Sequence, residues 1–383
     1  MLLDNAFIHD QRVKRSANAL IENGYELNLV CGIHKELPTT EVKSGIPVHR
    51  LIDTPRLLRP TEYSYAQQLA KDFVAKFEFD IVHAHDSFVL DIAVEIKKLK
   101  PSVKMIYDSH ELFHGWPLDP LAKTSWTLYI KSLLVRKYHV WKEKRNAKHF
   151  DYLVTVNDSL ANDLGPYFGF PEERICVLRN IKDYEDPPRP KPNVLREKFG
   201  IAADTKILVF IAAHIFPKTR NLEQVIDEVG NQTDVALVLI GADDSLCQVV
   251  KDYVAGKSYK NIFFNGKVQP TEISAYLGSA DVGLVSVWNK TDLSYWYGLE
   301  NKIFDYLMAE IPILATQQPE YPAIIEKNNI GVCVNPDNKG AYLEGFKTII
   351  DHYPAYTSNI PATKKILNWE NEKGKLIQIY SQI

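Results

Sequence analysis

Short runs of β-branched and aliphatic residues alternate along this chain with longer segments in which apolar residues recur every three or four positions. That is the pattern of parallel strands covered by helices. In the first half the runs fall at 26–31, 46–51, 80–84, 103–107, 152–156 and 175–178; in the second they fall at 206–212, 235–240, 261–264, 282–285, 313–315 and 331–334. A helical stretch over 10–23 presents Val13, Ala17, Leu20 and Ile21 on one face, with Asp10 placed to cap its start and Gly24 its end. Between the halves, Pro187, Pro188, Pro190 and Pro192 stand among charges and mark a stiff, exposed connection. The pattern predicts an α/β protein of two tandem doubly wound, Rossmann-like domains. The first covers 1–182, a proline-rich linker 183–198, the second domain 199–362 and a terminal helix 363–383.

Ligands of such sheets bind beyond the carboxyl ends of the strands, so residues that follow strands carry the candidate chemistry. After the run ending near Ala213, Lys218 and Arg220 precede a helix with Leu222, Val225, Ile226 and Val229 on its apolar face. Asn221 is placed as its N-cap, with Gln224 completing a capping box. Cations at the positive end of a helix are disfavoured unless an anion shares the site, and a diphosphate would resolve that conflict; solvated loop cations are the alternative. Lys302 repeats the pattern in the first turn of a helix over 301–309 that buries Ile303, Phe304, Leu307 and Met308. Asp305, three residues on, shares its stripe. The pair reads either as an exposed ion pair or as a phosphate-binding cation beside a carboxylate that accepts hydrogen bonds from ribose hydroxyls.

In the first half, His83, His85 and Asp86 close one strand, and Asp108, Ser109, His110 and Glu111 follow another. These groups can orient sugar hydroxyls, cap helices, or hold a metal that activates water for hydrolysis. By strand alternation His83 faces the opposite way from Val82 and Ala84, which places it under a helix. The stretch 123–148 reads as one helix with Trp126, Ile130, Leu133, Leu134, Tyr138 and Trp141 on one side. It carries eight cations, Lys123, Lys131, Arg136, Lys137, Lys142, Lys144, Arg145 and Lys148, against Glu143 alone. Two readings stay open: a basic face against an anionic membrane surface, or a core-facing stripe with solvated lysines beyond it.

Composition narrows the classes. Of 383 residues 45% are hydrophobic and 24% charged, ordinary for globular domains. The longest apolar run, 207–216, is broken by His214 and is too short to span a bilayer. The opening Met1, Leu2, Leu3, Asp4, Asn5 has no basic leader, which predicts a cytoplasmic chain, peripheral to the membrane if the basic helix docks there. Four scattered cysteines suit a reducing compartment and form no zinc pattern. A net charge of -3 argues against nucleic acid as a partner. The sequence contains neither a Gly-x-Gly-x-x-Gly nor a Gly-Lys-Ser/Thr loop.

Taken together the segments resemble the GT-B glycosyltransferases, and within them the large retaining family of bacterial cell-surface sugar transferases called group 1. The likeness runs from His9, Asp10, Gln11, Arg12, Val13 through the 80–86 and 107–111 strand ends, 154–159, 179–181 and 220–223. Its most specific stretch is Gly298, Leu299, Glu300, Asn301, Lys302, Ile303, Phe304, Asp305, Tyr306, Leu307, Met308, Ala309. The resemblance implies two domains facing a cleft, with the terminal helix crossing back to the first. It implies polysaccharide or cell-envelope biosynthesis, with transfer of a sugar from a nucleotide-diphosphate donor to a glycan or lipid-linked acceptor, with retention and with neither metal nor other cofactor. Arg220 with Lys218 or Lys302 would stabilise the departing diphosphate and His110 would meet the donor sugar. Asp305 would hold the ribose, Asn301 would join it in binding the nucleotide, Gly266 and Val268 would meet the base, and His9, Asp10 and Asp86 would line the acceptor side. The chain departs from the family at Tyr297, where a glutamate is usual, at Glu310 in place of a helix-ending glycine, and at Ala212 and Ala213. Three other readings are a nucleotide-sugar epimerase of the same fold, a metal-dependent hydrolase built on His83, His85 and His110, and a non-catalytic partner subunit.

Overall fold

A computed structural model describes residues 1–59, 62–115, 125–215 and 220–383. It divides into two compact units, 1–180 with 372–383, and 181–371. The first holds strands β1 (Leu29–Gly32), β2 (Thr40–Lys43), β3 (Ile46–Ile52), β4 (Ile81–His85), β5 (Lys104–Ser109), β6 (Tyr152–Thr155) and β7 (Ile175–Val177). The second holds β8 (Lys206–His214), β9 (Val235–Ala242), β10 (Ile262–Gly266), β11 (Val282–Val285), β12 (Ile313–Thr316) and β13 (Gly331–Val334).

In the second unit all six strands are parallel in the order β10-β9-β8-β11-β12-β13. Alternate residues of β8 enter opposite cores, Ile207 and Val209 on one side, Leu208 and Phe210 on the other. A strand buried on both faces needs an unbroken apolar run, which is what its sequence supplies. The helix Leu222–Val229 buries Leu222, Val225, Ile226 and Val229 against the second of these cores, each side chain contributing about 1.5–3 kcal/mol on transfer from water.

The first unit is built on the same plan with a reduced first strand. Leu2 forms single parallel bridges to Val30 and Ala84, so Met1–Asn5 lies between β1 and β4 where a full strand would run. On one side of it lies β1-β3-β2, on the other β4-β5-β6-β7. β2, absent from the apolar pattern, pairs antiparallel with β3 at the edge and is largely exposed, so it needs no apolar run. The helix Gln11–Glu22 starts as the sequence predicts, Asp10 accepting from the Val13 amide at 3.0 Å, and Gly24 takes φ 86 beyond its end. The terminal helix Trp369–Gln382 buries Tyr380, whose hydroxyl lies 2.9 Å from His83 Nδ1; His83 is thus under a helix, as strand alternation requires.

The helix Trp126–Ala147 corrects one reading. Residues 123 and 124 lie outside the described residues. Its buried positions are His139, Lys142, Glu143, Asn146 and Ala147, whereas Trp126, Leu134 and Trp141 are exposed. The aromatic stripe is therefore not the core face. The inward side is polar because Asp91 and Tyr107 meet it: Lys142 Nζ lies 2.6 Å from Asp91, the Asn146 amide donates to Asp91 at 2.6 Å, and Tyr107 donates to Glu143 at 2.6 Å.

Candidate functional site

The strand order of the second unit reverses between β8 and β11, and beyond the carboxyl ends at such a point the flanking loops part. A pocket of about 520 Å³ opens there, bounded by Ala212 and Ala213 of β8, Gly241 of β9, Val268 after β10 and the start of the helix Lys302–Met308. Arg220, Asn301, Lys302, Asp305 and Val268 all line it. Gly266, at φ 77, turns the chain out of β10 towards Val268 without lining the pocket itself. Lys218 lies outside the described residues.

Two local expectations change. The capping box at Asn221 does not form, because Asn221 sits at φ 49, a left-handed conformation that leaves its side chain without a cap bond. Its amide donates instead to Gln224 at 2.9 Å and to the Tyr342 hydroxyl at 3.2 Å. Nor is Lys302 an exposed partner of Asp305. It is buried against the Phe210 ring, 4.1 Å from the centroid, and 3.5 Å from Glu300, while Asp305 pairs with Lys182 at 3.3 Å.

Glu300 is the residue that sequence reasoning missed. Eighty positions separate it from Arg220, yet their side chains form an ion pair, so one carboxylate sits between two cations and leaves one positive charge in excess. Burial alone would raise its pKa, but Lys302 and Arg220 together hold it below the ordinary carboxylate value. Lys302 moves the other way: burial brings its ammonium down to about 8 against the attraction of Glu300, and Arg220 adds to the lowering. The Lys302 ammonium and Arg220 Nε are buried with no hydrogen-bond partner among the described residues. Unsatisfied cationic donors at the wall of a pocket are costly alone and favourable once an anion with several oxygens enters. Lys267, also on the lining, adds a third cation.

The helix carrying Lys302 and Asp305 is tied to the sheet through its opposite face. The Tyr306 hydroxyl lies 3.2 Å from the Ile211 amide, 3.2 Å from the Val209 carbonyl and 3.0 Å from the Leu284 carbonyl. Its ring fills the space beside Gly283, where any Cβ would come within 2.3 Å of it. Neither Tyr297 nor Glu310 lines the pocket. Glu310 adopts the left-handed φ of 58 that a glycine favours, and its carboxylate meets Arg189 and, at 3.0 Å, the buried Lys364.

In the first unit a second polar cluster forms at the ends of β4 and β5. Asp108, fully buried, accepts from Arg12 at 2.7 Å through one oxygen. The other faces His85 at 3.4 Å, His110 at 3.5 Å and His83 at 3.6 Å. His110 also reaches Asp86 at 3.1 Å. Burial would lower the His110 pKa, but Asp86 and Asp108 raise it to about 10. Against the cost of burial, Arg12 and then His110 hold Asp108 well below its ordinary value. His83 is pushed down to about 3 by burial and by His85. His83, His85 and Asp108 are close enough together to bind one ion. The His83 and His85 rings, however, stack at 4.4 Å with planes 16° apart, a geometry in which their in-plane lone pairs run side by side. His9 is exposed, and Asp10 is engaged as a cap and by the Asn5 amide at 3.1 Å, so neither joins Asp86 and His110. Asp4 and Glu143, given no site role from the sequence, share with Asp86 a pocket of about 140 Å³. Burial raises Asp4 to about 6, helped by Asp86, and raises Glu143 to about 7 against the Tyr107 hydrogen bond. The sequence marks Glu143 as the one acid in a run of cations, but not that it faces inward.

Residues 11–185 match the family described as Glycosyltransferase Family 4, and residues 205–352 match Glycosyl transferases group 1. No curated protein matches the sequence. Among solved structures, the glycosyltransferase from Rickettsia africae ESF-5 superposes with a TM-score of 0.75 at 15% identity, covering 100% of this chain and 97% of that one. The sucrose-phosphate synthase from Thermosynechococcus elongatus gives 0.73 at 14%, covering 97% and 92%. Anabaena HepE, solved with UDP, gives 0.70 at 14%, and solved with UDP-glucose 0.70 at 13%, each covering 100% and 99%. At such identities the likeness is one of fold.

Proposed function

The chain belongs to the group 1 glycosyltransferases with the GT-B fold, and from that premise we propose that the second unit's pocket holds a nucleoside-diphosphate sugar, whose sugar passes to a hydroxyl acceptor with retention at the anomeric carbon. One observation carries this reading: Arg220 and Lys302, both buried donors with unsatisfied capacity, meet at a pocket whose rim bears Asp305 and Val268. The diphosphate displaces Glu300 from the two cations, which then stabilise the charge that develops as the sugar–oxygen bond breaks. Asp305 accepts from ribose hydroxyls, Val268 and its backbone meet the base, and Asn301 stands at the ribose end. HepE, of the same fold, binds UDP and UDP-glucose, which makes uridine nucleotides the first donors to try.

In this reading no metal serves the donor, because the fixed cations Arg220, Lys302 and Lys267 on the pocket lining supply the charge. The histidine cluster serves the sugar and acceptor as a hydrogen-bonding group rather than as a metal-dependent hydrolase. Arg12 and a protonated His110 already balance Asp86 and Asp108, and stacked imidazoles cannot both direct lone pairs at one ion.

Asp305→Asn is expected to weaken UDP binding about tenfold, the size of one charge-assisted hydrogen bond. Titration calorimetry across a panel of UDP, GDP, ADP and TDP sugars tests both the assignment and the donor; equal affinity in the variant removes Asp305 from the ribose. Affinity also carries a pH signature. With its pKa near 8 in the empty pocket, Lys302 is charged below that value and neutral above it. An anionic ligand favours the charged form, so affinity is expected to fall as pH rises through about 8, by up to about tenfold per unit. Lys302→Met should flatten that slope; a wild-type affinity constant across this range would exclude Lys302 from the phosphate site.

A further inference from the structure

We propose that the pocket lined by Asp4, Asp86 and Glu143 in the first unit binds the protonated primary amine of an amino-sugar acceptor. Its lining carries four carboxyl groups, those of Asp4, Asp86, Glu111 and Glu143, and no lysine, arginine or histidine among the described residues. Exposed carboxylates often gather without a ligand, but Glu143 is 1% exposed. Its Oε1 accepts from the Tyr107 hydroxyl at 2.6 Å, whereas its Oε2 is buried with no hydrogen-bond partner among the described residues. An unmet acceptor of this kind is destabilising until a donor reaches it. The helix Trp126–Ala147 is fixed with Glu143 inward because Lys142 and Asn146, on the same side, are bound to Asp91. Asp86 is held at φ 63 and ψ 171, a backbone region seldom entered by a residue with a side chain, with its amide donating to the Asp108 carbonyl at 2.9 Å.

Charge and wall chemistry choose the ligand. Of Asp4, Asp86 and Glu143, only Asp86 is paired with a cation among the described residues, its partner being His110 at 3.1 Å. Asp4 and Glu143 meet no counter-ion there, so burial raises both, and a cation entering the pocket would find two carboxyls that gain from ionising beside it. The half-buried rings of Phe88 and Phe113, edge to face at 5.7 Å, complete the wall together with Tyr107. Aromatic faces attract an organic cation and offer no ligand to a metal. A hard divalent ion takes six or more oxygens, while here one Glu143 oxygen is committed to Tyr107 and Asp86 to His110. An ammonium has three protons to donate and tolerates aromatic carbon at its side.

The pocket lies at the carboxyl ends of β4 and β5, the edge at which ligands of such sheets bind. The hydroxyls of Ser87 and Ser109 on the same lining can accept from hydroxyls of the ligand. The assignment rests on the reading of Asp86 as acceptor-side and adds the acceptor's chemical class: a sugar with a free amine beside its hydroxyls. Acetylation of that amine removes its charge and two of its three protons, so an N-acetyl sugar loses what the pocket recognises.

Ligand-observed NMR with the full chain at neutral pH reads this site without donor or transfer. The probes are the 2-amino, 3-amino and 6-amino deoxy derivatives of glucose, compared with glucose and N-acetylglucosamine. At least one amino sugar is expected to bind about tenfold more tightly than glucose, the margin of a charge-assisted hydrogen bond over a neutral one, and N-acetylglucosamine no better than glucose. Glu143→Gln, which keeps an acceptor for Tyr107, should bring the preferred amino sugar down to the level of glucose. Asp4→Asn should lower the preference as well, and it carries the test if melting shows the first variant to be poorly folded. A purely structural Glu143 would shift the melting temperature and leave the ratio of the two affinities as it was, which overturns the proposal. So do equal binding of amino sugars and glucose by the unaltered chain, binding of neither, and displacement of the amino sugar by equimolar magnesium chloride. Because UDP binding is read separately by calorimetry, failure here leaves the nucleotide assignment standing.

Discussion

Replacing Arg220 with alanine is expected to lower the turnover of sugar transfer by about 10²–10³-fold, the loss seen when one preorganised group is withdrawn from developing negative charge. The measurement is release of free nucleoside diphosphate in the presence of acceptor. Folding must be separated from chemistry, because Arg220 also neutralises the buried Glu300. Its removal leaves that carboxylate with Lys302 alone, at a cost of about 1–3 kcal/mol. Adding Glu300→Gln should restore the melting temperature and leave turnover low. A double variant that regains both would make Arg220 a structural residue only, and the assignment of the diphosphate to this pocket would fall with it.

The largest effect on stability is expected at Asp108, the hub of the first unit. Among the described residues, Asp108→Ala withdraws the one carboxylate that Arg12 meets, leaving it the Leu178 carbonyl at 2.7 Å, and takes from His110 one of its two acidic partners. Breaking a buried pair from one side costs about 3–5 kcal/mol. Urea denaturation should show a loss of this size, and replacing Arg12 by Met together with Asp108 by Leu should recover much of it, since the penalty lies in the orphaned charge. A loss under about 1 kcal/mol would mean that water reaches Arg12 and that the cluster is not the closed network its burial implies.

The elements legible in the sequence are those whose burial leaves a periodic mark. The runs that became β8, β9 and β12 are apolar without interruption because helices cover both faces of the sheet. Asp10 and Gly24 announced the first helix by chemistry that acts within a few residues. β2 left no mark, since an edge strand with exposed side chains can be written Thr, Glu, Val, Lys. In the second unit the sequence led to Arg220, Lys302 and Asp305 because each follows a strand, and all three line one pocket. Glu300 escaped because its partner lies in another loop, and only the folded chain brings them together. The 126–147 helix shows a different limit. Periodicity finds an apolar stripe but does not say which way it faces; Asp91 and Tyr107 decide that, by claiming the polar side.

Tyr306 gives the pocket proposed for the donor an unusual division of labour. Along Lys302–Met308, Lys302 and Asp305 face the pocket, while Ile303, Tyr306 and Leu307 belong to the core. Donor preference can therefore drift at 301 and 305 while the helix stays seated, because the two jobs share no side chain. The converse is a hidden vulnerability at Gly283. A single methyl there meets the Tyr306 ring and levers the helix off its seat, so the defect would surface as lost nucleotide affinity from a position that never touches nucleotide.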